Sequence, residues 1–312
     1  MKKWINELKD GERTYLLVLL HDVARGITNK GVPYLSLNMQ DKTGTIEGKY
    51  WNIPQEDLNL FHPGMIIEIK GDVLSYKDQL QIKVFQARPA TKEYDIRDFV
   101  KSAPLTKDDM KEKIEDALHH IQNEQIRSLC HIVYEEVEKD FYEYPAATKN
   151  HHDMVGGLAM HVYGMMNLAS SICELYPLLD RDLLMAGVFL HDIGKLVELS
   201  GPVASEYTME GKLLGHISIM HAKVSELAKS ISMDKETEVL LRHMILSHHG
   251  LKEYGSPVQP MIPEAEVLYY IDNLDAKMHM LEKAMDKTEE GHFSTRIYAM
   301  DNRSFYKKKQ TS

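Results

Sequence analysis

Cysteine is scarce in this chain of 312 residues, which has only Cys130 and Cys173. Two cysteines cannot form the disulfide framework of a small secreted domain, and both lie in apolar segments, so we interpret them as buried thiols. No apolar run reaches the roughly 18 residues that a membrane span needs, and residues 1–10 lack the apolar core of a secretion signal. The sequence therefore predicts a cytoplasmic protein that does not associate with membranes.

Positive charge is scarce as well. The net charge is −10, with 37 Lys and Arg against 47 Asp and Glu. Residues 1–90 are nearly neutral, with 12 basic and 11 acidic side chains, whereas residues 91–312 have 25 basic and 36 acidic ones. This balance excludes a protein that binds nucleic acid through net charge alone. The acidic excess suits a site that collects divalent cations, and it is equally consistent with a solvated acidic surface.

The first ninety residues have the pattern of β-strands. Five apolar or alternating segments are separated by turn signals such as Asp41-Lys42-Thr43-Gly44. A short helical segment, residues 54–61, lies between the third and fourth of them. This order is that of a five-stranded OB barrel, so we predict an OB-fold nucleic-acid-binding domain over residues 1–90. The predicted strands are residues 15–23, 33–39, 45–51, 65–74 and 79–85.

From about residue 107 the apolar period becomes that of helices. We predict a connector and helical lead-in over residues 91–144, an all-α domain over residues 145–291 and a basic C-terminal tail over residues 292–312, disordered from residue 302. The predicted fold class is therefore α+β multidomain, with the barrel followed by the helical domain. The predicted helices are residues 105–138, 158–176, 181–191, 213–231, 236–249 and 265–286.

The segment His191-Asp192-Ile193-Gly194-Lys195 follows an apolar helix, which would hold its side chains rigidly. We expect Gly194 to break this helix and to turn Lys195 toward the same site. His161 and Asp272 lie in other apolar helices, where a buried carboxylate is costly unless it is paired or bound to a metal. Two imidazoles and two carboxylates suit Mn²⁺, Fe²⁺, Co²⁺ or Zn²⁺ better than Ca²⁺.

Further histidines lie between these residues in the sequence. His216 follows a glycine, and His248 and His249 precede one. If they converge on the same place, the site holds two ions bridged by Asp192; any one of them alone is more commonly a structural histidine. Successive helical residues point about 100° apart, so the choice between His248 and His249 stays open. Asp275, one turn after Asp272, either supports a ligand or lies on the surface.

The order of His161, His191-Asp192 and Asp272 resembles the HD superfamily of metal-dependent phosphohydrolases. An OB domain followed by an HD domain at this length resembles the YhaM family of bacterial 3′-to-5′ exoribonucleases, and this second resemblance covers nearly the whole chain. One position departs from the pattern. Such families usually carry a glutamate directly before the first histidine, where this chain has Met160.

The resemblance implies hydrolysis of single-stranded RNA from its 3′ end to nucleoside 5′-monophosphates by metal-activated water. Asp192 and Lys195 would be the catalytic residues, with Lys195 offsetting charge on the phosphate; the alternative for Lys195 is a plain helix-terminal lysine. We expect two divalent ions per chain, preferably Mn²⁺ or Co²⁺, with Fe²⁺, Zn²⁺ or Mg²⁺ allowed. The expected metal ligands are His161, His191, Asp192, His216, His248, His249 and Asp272.

Substrate contacts are expected from the barrel, because OB barrels stack bases on aromatic side chains beside basic groups. The candidates are Tyr34, Trp51, Tyr76 and Lys77, together with His152 as a phosphate contact near the metal site. We considered Tyr50 and Phe85 as well, and each of these aromatic residues has a place in the barrel core as its alternative.

The partner is predicted to be single-stranded RNA, with single-stranded DNA as the alternative, and the oligomeric state stays open. Two other functions remain. The first is an HD phosphohydrolase that acts on free or cyclic nucleotides. The second is a non-catalytic OB-fold nucleic-acid-binding protein with a structural metal.

Overall fold

The structure of the protein is a computed structural model that describes residues 3–28, 31–51, 53–76, 79–91, 94–100, 103, 105–146, 154–203 and 205–309. The chain divides into two compact units. One comprises residues 1–102 with 203–205, and the other comprises residues 103–202 with 206–312. The domain limits predicted at residues 90, 144 and 291 remain predictions. Within the described residues, no helix combines the length and the apolar character that crossing a membrane requires.

The first unit contains a closed five-stranded barrel in the order β1-β2-β3-β5-β4. The strands are β1 Arg13–Ile27, β2 Pro33–Asp41, β3 Gly44–Trp51, β4 Ile66–Tyr76 and β5 Gln79–Pro89. β3 and β5 run parallel, and the other neighbouring strands run antiparallel. A 3₁₀ helix, Gln55–Asn59, lies between β3 and β4. The predicted OB barrel, including its short helix, is confirmed.

Alternation along the strands separates the core of the barrel from its surface. In β2, Leu35, Leu37 and Met39 are fully buried. The same alternation decides a question that the sequence left open. Tyr50 is only 6% exposed and packs in the barrel core, so it is not available to stack on a base, whereas its neighbour Trp51 points outward and is 38% exposed.

The second unit is helical, as predicted. Its elements are α1 Lys107–His119, α2 Glu124–Phe141, α3 Gly157–Leu175, α4 Arg181–Leu190, α5 Lys195–Glu198, α6 Met209–Ser230, α7 Lys235–Ser247 and α8 Pro263–Asp286. The long helix predicted over residues 105–138 is split in two, because Asn123 accepts hydrogen bonds from the first amides of α2 and starts a new helix. All residues of α4 from Leu183 to Leu190 are buried, so α4 is the central helix of this unit.

The predicted disorder after residue 302 is wrong for the described part of the tail. The backbone pairs as an antiparallel hairpin, with Gly291 N–H donating to the Lys307 carbonyl (2.8 Å) and Ile297 N–H donating to the Arg303 carbonyl (2.9 Å). The Lys307 ammonium donates to the carbonyls of Met285 and Thr288 and so caps the end of α8. This cap explains why a lysine-rich segment is ordered.

Candidate metal centre

Five helices of the second unit bring seven side chains to one place. His161 comes from α3, His191 and Asp192 follow α4, and His216 lies in α6; His248 and His249 follow α7, and Asp272 lies in α8. In each of two sets of three side chains, one ligand atom per residue lies within 4.8 Å of the others. The first set is His161, His191 and Asp192. The second set is His216, His248 and His249.

Asp192 lies between the two sets and is 2% exposed. Its Oδ2 is 3.3 Å from His191 Nε2 and 3.8 Å from His161 Nε2. Its Oδ1 is 3.5 Å from His216 Nε2 and 3.8 Å from His248 Nε2. One carboxylate oxygen therefore faces each set of histidines, which is the arrangement that a bridging ligand requires.

The outer nitrogen, Nδ1, of every one of these histidines has an oxygen partner. In chain order, the pairs are His161 with Asp275 Oδ2 (2.6 Å), His191 with the Val188 carbonyl (2.8 Å), His216 with Glu198 Oε1 (3.1 Å), His248 with the Ile245 carbonyl (2.8 Å) and His249 with the Tyr254 carbonyl (2.7 Å). A proton fixed on Nδ1 leaves the Nε2 lone pair available for a metal. These partners orient each ring so that Nε2 is the nitrogen available to a cation.

Several buried polar atoms in the centre of the site have no hydrogen-bond partner within the described part of the chain. They are Asp192 Oδ1 and the Nε2 atoms of His191, His216 and His248. An unsatisfied buried polar atom costs about 1–3 kcal/mol, so four such atoms in one cluster need a common ligand. The donor set of imidazole nitrogens and carboxylate oxygens fits a divalent transition metal.

Charge in the site favours the protonation states that metal binding needs. Burial would raise the pKa of Asp192, but Lys195 and His191 hold this pKa well below its usual range. Although burial opposes it, Asp192 raises the pKa of Lys195, whose Nζ lies 2.7 Å from Asp192 Oδ2. Burial also lowers the pKa of His248 far below its usual value, which favours the neutral imidazole.

Two neighbouring carboxylates make the surroundings of His161 favourable for a positive charge. Burial lowers its pKa, but the carboxylates of Asp272 and Asp275 raise it to about 10. His161 Nε2 lies 3.3 Å from Asp272 Oδ1. Two carboxylates therefore draw positive charge to this ring, and a divalent cation held between His161 and Asp272 would supply that charge instead.

Glycines let the backbone segments approach closely around the site. A Cβ at Gly194 would lie 2.3 Å from the His216 carbonyl oxygen. The backbone of Gly194 is right-handed (φ −57°), so Gly194 does not end α4 in the manner expected from the sequence. A glycine is needed here because it lets the His216 carbonyl approach closely. Gly215, with φ +71° and ψ 153°, kinks α6 directly before His216. The predicted turn of Lys195 toward the site is present.

The structure places both His248 and His249 at the site. α7 ends at Ser247, and the chain continues as a turn to Gly250, which has a positive φ of 73°. Both rings therefore lie in the turn that follows α7, and their centroids are 4.2 Å apart.

Two acidic residues that support the histidines were not predicted as site residues. Asp275 was left between a supporting role and the surface, and Glu198 was not considered. Glu198 accepts hydrogen bonds from both the backbone N–H of His216 (3.1 Å) and its Nδ1 (3.1 Å). A signal existed for Asp275, which lies one turn after Asp272 in α8. Glu198 lies one turn after Lys195, but no spacing rule connects it with His216.

Glu198→Ala is expected to weaken metal binding at the set formed by His216, His248 and His249. Losing such a supporting partner typically costs 10–100-fold in metal affinity or activity, so we expect a loss of about that size. Metal content measured by mass spectrometry after dialysis at fixed Mn²⁺ checks this.

Glu198→Gln should have an intermediate effect, because its single amide oxygen replaces two carboxylate oxygens. Glu210→Ala removes a carboxylate from the exposed first turn of α6 and is the matched control. Wild-type metal content in Glu198→Ala would contradict the supporting role.

The barrel has an aromatic surface where the sequence predicted one. Tyr34 and Trp51 are cross-strand partners, with ring centroids 4.5 Å apart. Lys49 Nζ lies over the Tyr34 ring, 5.9 Å from its centroid. The Tyr34 ring occupies the space above Gly26, where a Cβ would lie 2.3 Å from it. Tyr76 is 60% exposed. The other two candidates, Lys77 and His152, lie outside the described residues.

Two family models match the chain. The HD domain matches residues 158–277, and the OB-fold nucleic acid binding domain matches residues 19–90. The chain is also 47% identical over 309 residues to the 3′-5′ exoribonuclease YhaM of Geobacillus sp. (strain WCH70), an alignment that covers 98% of this chain and 95% of that protein. The chain belongs to the YhaM family of 3′-5′ exoribonucleases. The predicted family and fold class are thereby confirmed.

Solved structures match parts of this YhaM family member. A domain of replication protein A from Methanococcus maripaludis is 24% identical, with a TM-score of 0.25, and covers 28% of this chain and 94% of its own. Asparaginyl-tRNA synthetase from Pyrococcus horikoshii is 15% identical, with a TM-score of 0.25, and covers 46% of this chain and 36% of its own. Met160, the residue directly before His161, packs against the helical core.

Proposed function

We propose that the protein is a 3′-5′ exoribonuclease that hydrolyses single-stranded RNA to nucleoside 5′-monophosphates. The observation that carries this proposal is the position of Asp192, with one carboxylate oxygen facing each set of histidines, in a chain that belongs to the YhaM family. A cytoplasmic location, supported by two free cysteines, belongs to the same proposal.

Two divalent ions per chain are the proposed cofactors. His161, His191 and Asp272 would hold the first ion, His216, His248 and His249 would hold the second, and Asp192 would bind both. The nitrogen-rich second set favours Mn²⁺ or Co²⁺ over Ca²⁺, and Fe²⁺, Zn²⁺ or Mg²⁺ are the other candidates. When bound, such ions supply an activated water and stabilise negative charge on a phosphate and its leaving oxygen.

The chain's own residues would place the substrate. Lys195 lies 2.7 Å from Asp192, and its side chain is 12% exposed, so its ammonium is fixed at the site by the carboxylate. There it would contact the scissile phosphate and offset its charge. The surface formed by Tyr34, Trp51 and Lys49 would stack bases of the upstream strand, and this contact does not depend on base identity.

A product assay tests the function. We expect 5′-labelled single-stranded RNA to shorten stepwise from its 3′ end, with release of nucleoside 5′-monophosphates in Mn²⁺. Single-stranded DNA of the same sequence and a panel of free and cyclic nucleotides are run in parallel. Turnover of nucleotides with intact RNA would favour the nucleotide phosphohydrolase, and RNA binding without any turnover would favour the non-catalytic module.

Trp51→Ala is expected to raise KM for long RNA at least about fivefold, because a base stacked on an aromatic ring contributes about 1–3 kcal/mol. kcat should stay unchanged, since the contact binds ground state and transition state alike. Trp4→Ala is the matched control: Trp4 also has a lysine over its ring, Lys42 at 4.1 Å, but Lys42 lies at the opposite end of the β2–β3 hairpin. An unchanged KM in Trp51→Ala would show that the surface formed by Tyr34, Trp51 and Lys49 does not bind RNA.

A further inference from the structure

The C-terminal hairpin, residues 291–309, differs in charge from the helical residues that precede it. It has five Lys and Arg against one Asp, and it contains four aromatic residues. Residues 91–290, by contrast, have 20 basic and 35 acidic side chains. The hairpin is therefore a local positive and aromatic segment attached to an acidic unit.

Three of the four aromatic side chains of the hairpin are exposed although the segment is folded. Phe293 is 67% exposed, Tyr298 86% and Tyr306 51%. Phe293 and Tyr306 are cross-strand partners, with ring centroids 5.2 Å apart. A soluble surface rarely presents large aromatic side chains together unless they bind something.

Basic side chains accompany these rings. Lys308 and Lys309 follow Tyr306 closely and are exposed, as is Arg296. The Arg303 guanidinium lies 5.4 Å from the centroid of the Phe305 ring, donates from Nε to the Met300 carbonyl (3.0 Å) and lies 3.6 Å from the Asp301 carboxylate. A pair of rings with cationic groups beside it is also what the barrel presents at Tyr34, Trp51 and Lys49.

The hairpin is fixed to the helix that supplies Asp272. Lys307 donates to two carbonyls at the end of α8, and Ser294 N–H donates to the Phe305 carbonyl at 2.8 Å, with Ser294 itself buried. The 14 residues from Asp272 to Asp286 advance about 21 Å along the helix axis. The hairpin is thus anchored at an end of α8 that lies about 21 Å along the helix axis from Asp272.

We propose that the exposed face of the hairpin, formed by Phe293, Tyr306 and Lys308, is a second binding surface for single-stranded RNA. The rings would stack on bases, and the lysines would contact phosphates. Exposed rings beside basic side chains favour a partner that combines negative charge with planar groups that stack, and single-stranded RNA has both. This inference rests on the proposed function, because the RNA bound here would be the substrate of the metal centre.

The position of this anchor at the end of α8 predicts a dependence on RNA length. A stacked strand advances about 3.4 Å per nucleotide, so about 21 Å corresponds to roughly six nucleotides. A trinucleotide held at the metal centre would not reach the hairpin, whereas a 20-nucleotide RNA would. The surface should therefore contribute to binding of long substrates alone.

The test compares hydrolysis of a 20-nucleotide RNA and a trinucleotide by the full-length protein. In Phe293→Ala/Tyr306→Ala we expect KM for the 20-mer to rise at least about fivefold, with unchanged kcat and unchanged kinetics on the trinucleotide. Leu175→Ala/Tyr176→Ala, which removes an exposed pair at the end of α3, is the matched control. Lys308→Glu/Lys309→Glu should raise KM more at low salt than at high salt.

Each other outcome overturns the inference. An unchanged KM for the 20-mer would show that this surface does not bind RNA. An equal rise in KM for the trinucleotide would show that the substitutions disturb the metal centre instead. A change of assembly state in sedimentation, with normal KM, makes a second copy the occupant. If wild-type protein hydrolyses neither RNA, the proposed function fails; anisotropy of the labelled 20-mer with wild-type and variant protein then tests the hairpin separately.

Discussion

Asp192→Asn is expected to reduce kcat for RNA hydrolysis at least about a thousandfold, which corresponds to about 4 kcal/mol of transition-state stabilisation. The asparagine has nearly the shape of the aspartate, but it lacks the negative charge that lies among Lys195 and four imidazoles. Only one amide oxygen remains, so one proposed ion loses its shared ligand and the other keeps a neutral ligand in place of a charged one. Single-turnover hydrolysis of labelled RNA in saturating Mn²⁺ measures the effect.

The chain contains its own control for this variant. The same dipeptide occurs in β1 as His21-Asp22, where both side chains are exposed and Asp22 accepts a hydrogen bond only from the amide of Val23 within the described residues. Asp22→Asn should therefore leave kcat unchanged. Thermal unfolding in the absence of metal confirms that both variants fold. If Asp192→Asn keeps more than about a tenth of wild-type kcat with normal metal content, the bridging role is wrong.

The sequence predicted the barrel well because its strands alternate with a period of two, and the turns between them carry strong local signals. It left Tyr50 and Trp51 each between base stacking and a place in the barrel core. Both are aromatic residues of one strand, and only the register of β3 against its neighbours decides which of them faces inward. Register is set by pairing partners distant in sequence, so composition alone could not assign it.

The metal centre was predicted through residue types that are costly to bury. His191 and Asp192 directly follow an apolar helix, and Asp272 lies within one. Burial of these polar side chains is costly unless they bind a ligand, so the sequence favoured a ligand role for them. Glu198 was not predicted as a site residue, because it precedes a chain segment of irregular structure and contacts His216 only through the kink at Gly215. A contact that depends on one backbone kink leaves no periodic pattern in the sequence. The same holds for Gly194, whose role is set by the approach of a carbonyl from α6.

The C-terminal segment was misjudged for a different reason. Three consecutive lysines favour disorder when they are considered alone, because such a run buries little apolar surface. Lys307 instead satisfies the carbonyls that the last turn of α8 leaves open. The order of the segment thus depends on where α8 ends, which is the least certain feature of any helix predicted from sequence.

Removal of divalent cations is expected to abolish hydrolysis and to lower the melting temperature of the protein. An ion that binds only the folded state, at a thousandfold excess over its Kd, adds about 4 kcal/mol of stability. For a unit of about 200 residues, each kcal/mol corresponds to about 2–4 °C, so Mn²⁺ should raise Tm by roughly 8–16 °C for each ion bound. The unsatisfied Nε2 atoms of His191, His216 and His248 explain why the metal-free state is less stable.

A comparison of ions distinguishes specific binding by the histidines and Asp192 from a general effect of divalent charge. Mn²⁺ or Co²⁺ should restore both activity and Tm in protein shown by mass spectrometry to be free of metal, whereas Ca²⁺, which prefers oxygen ligands, should restore neither. Asp192→Asn should lose most of the Mn²⁺-induced rise in Tm, and Asp22→Asn should keep it. Titration should reach two Mn²⁺ per chain, because each carboxylate oxygen of Asp192 faces its own set of histidines. Full activity in metal-free protein, or an equal response to Ca²⁺, would mean that these histidines have another purpose than holding a catalytic transition metal.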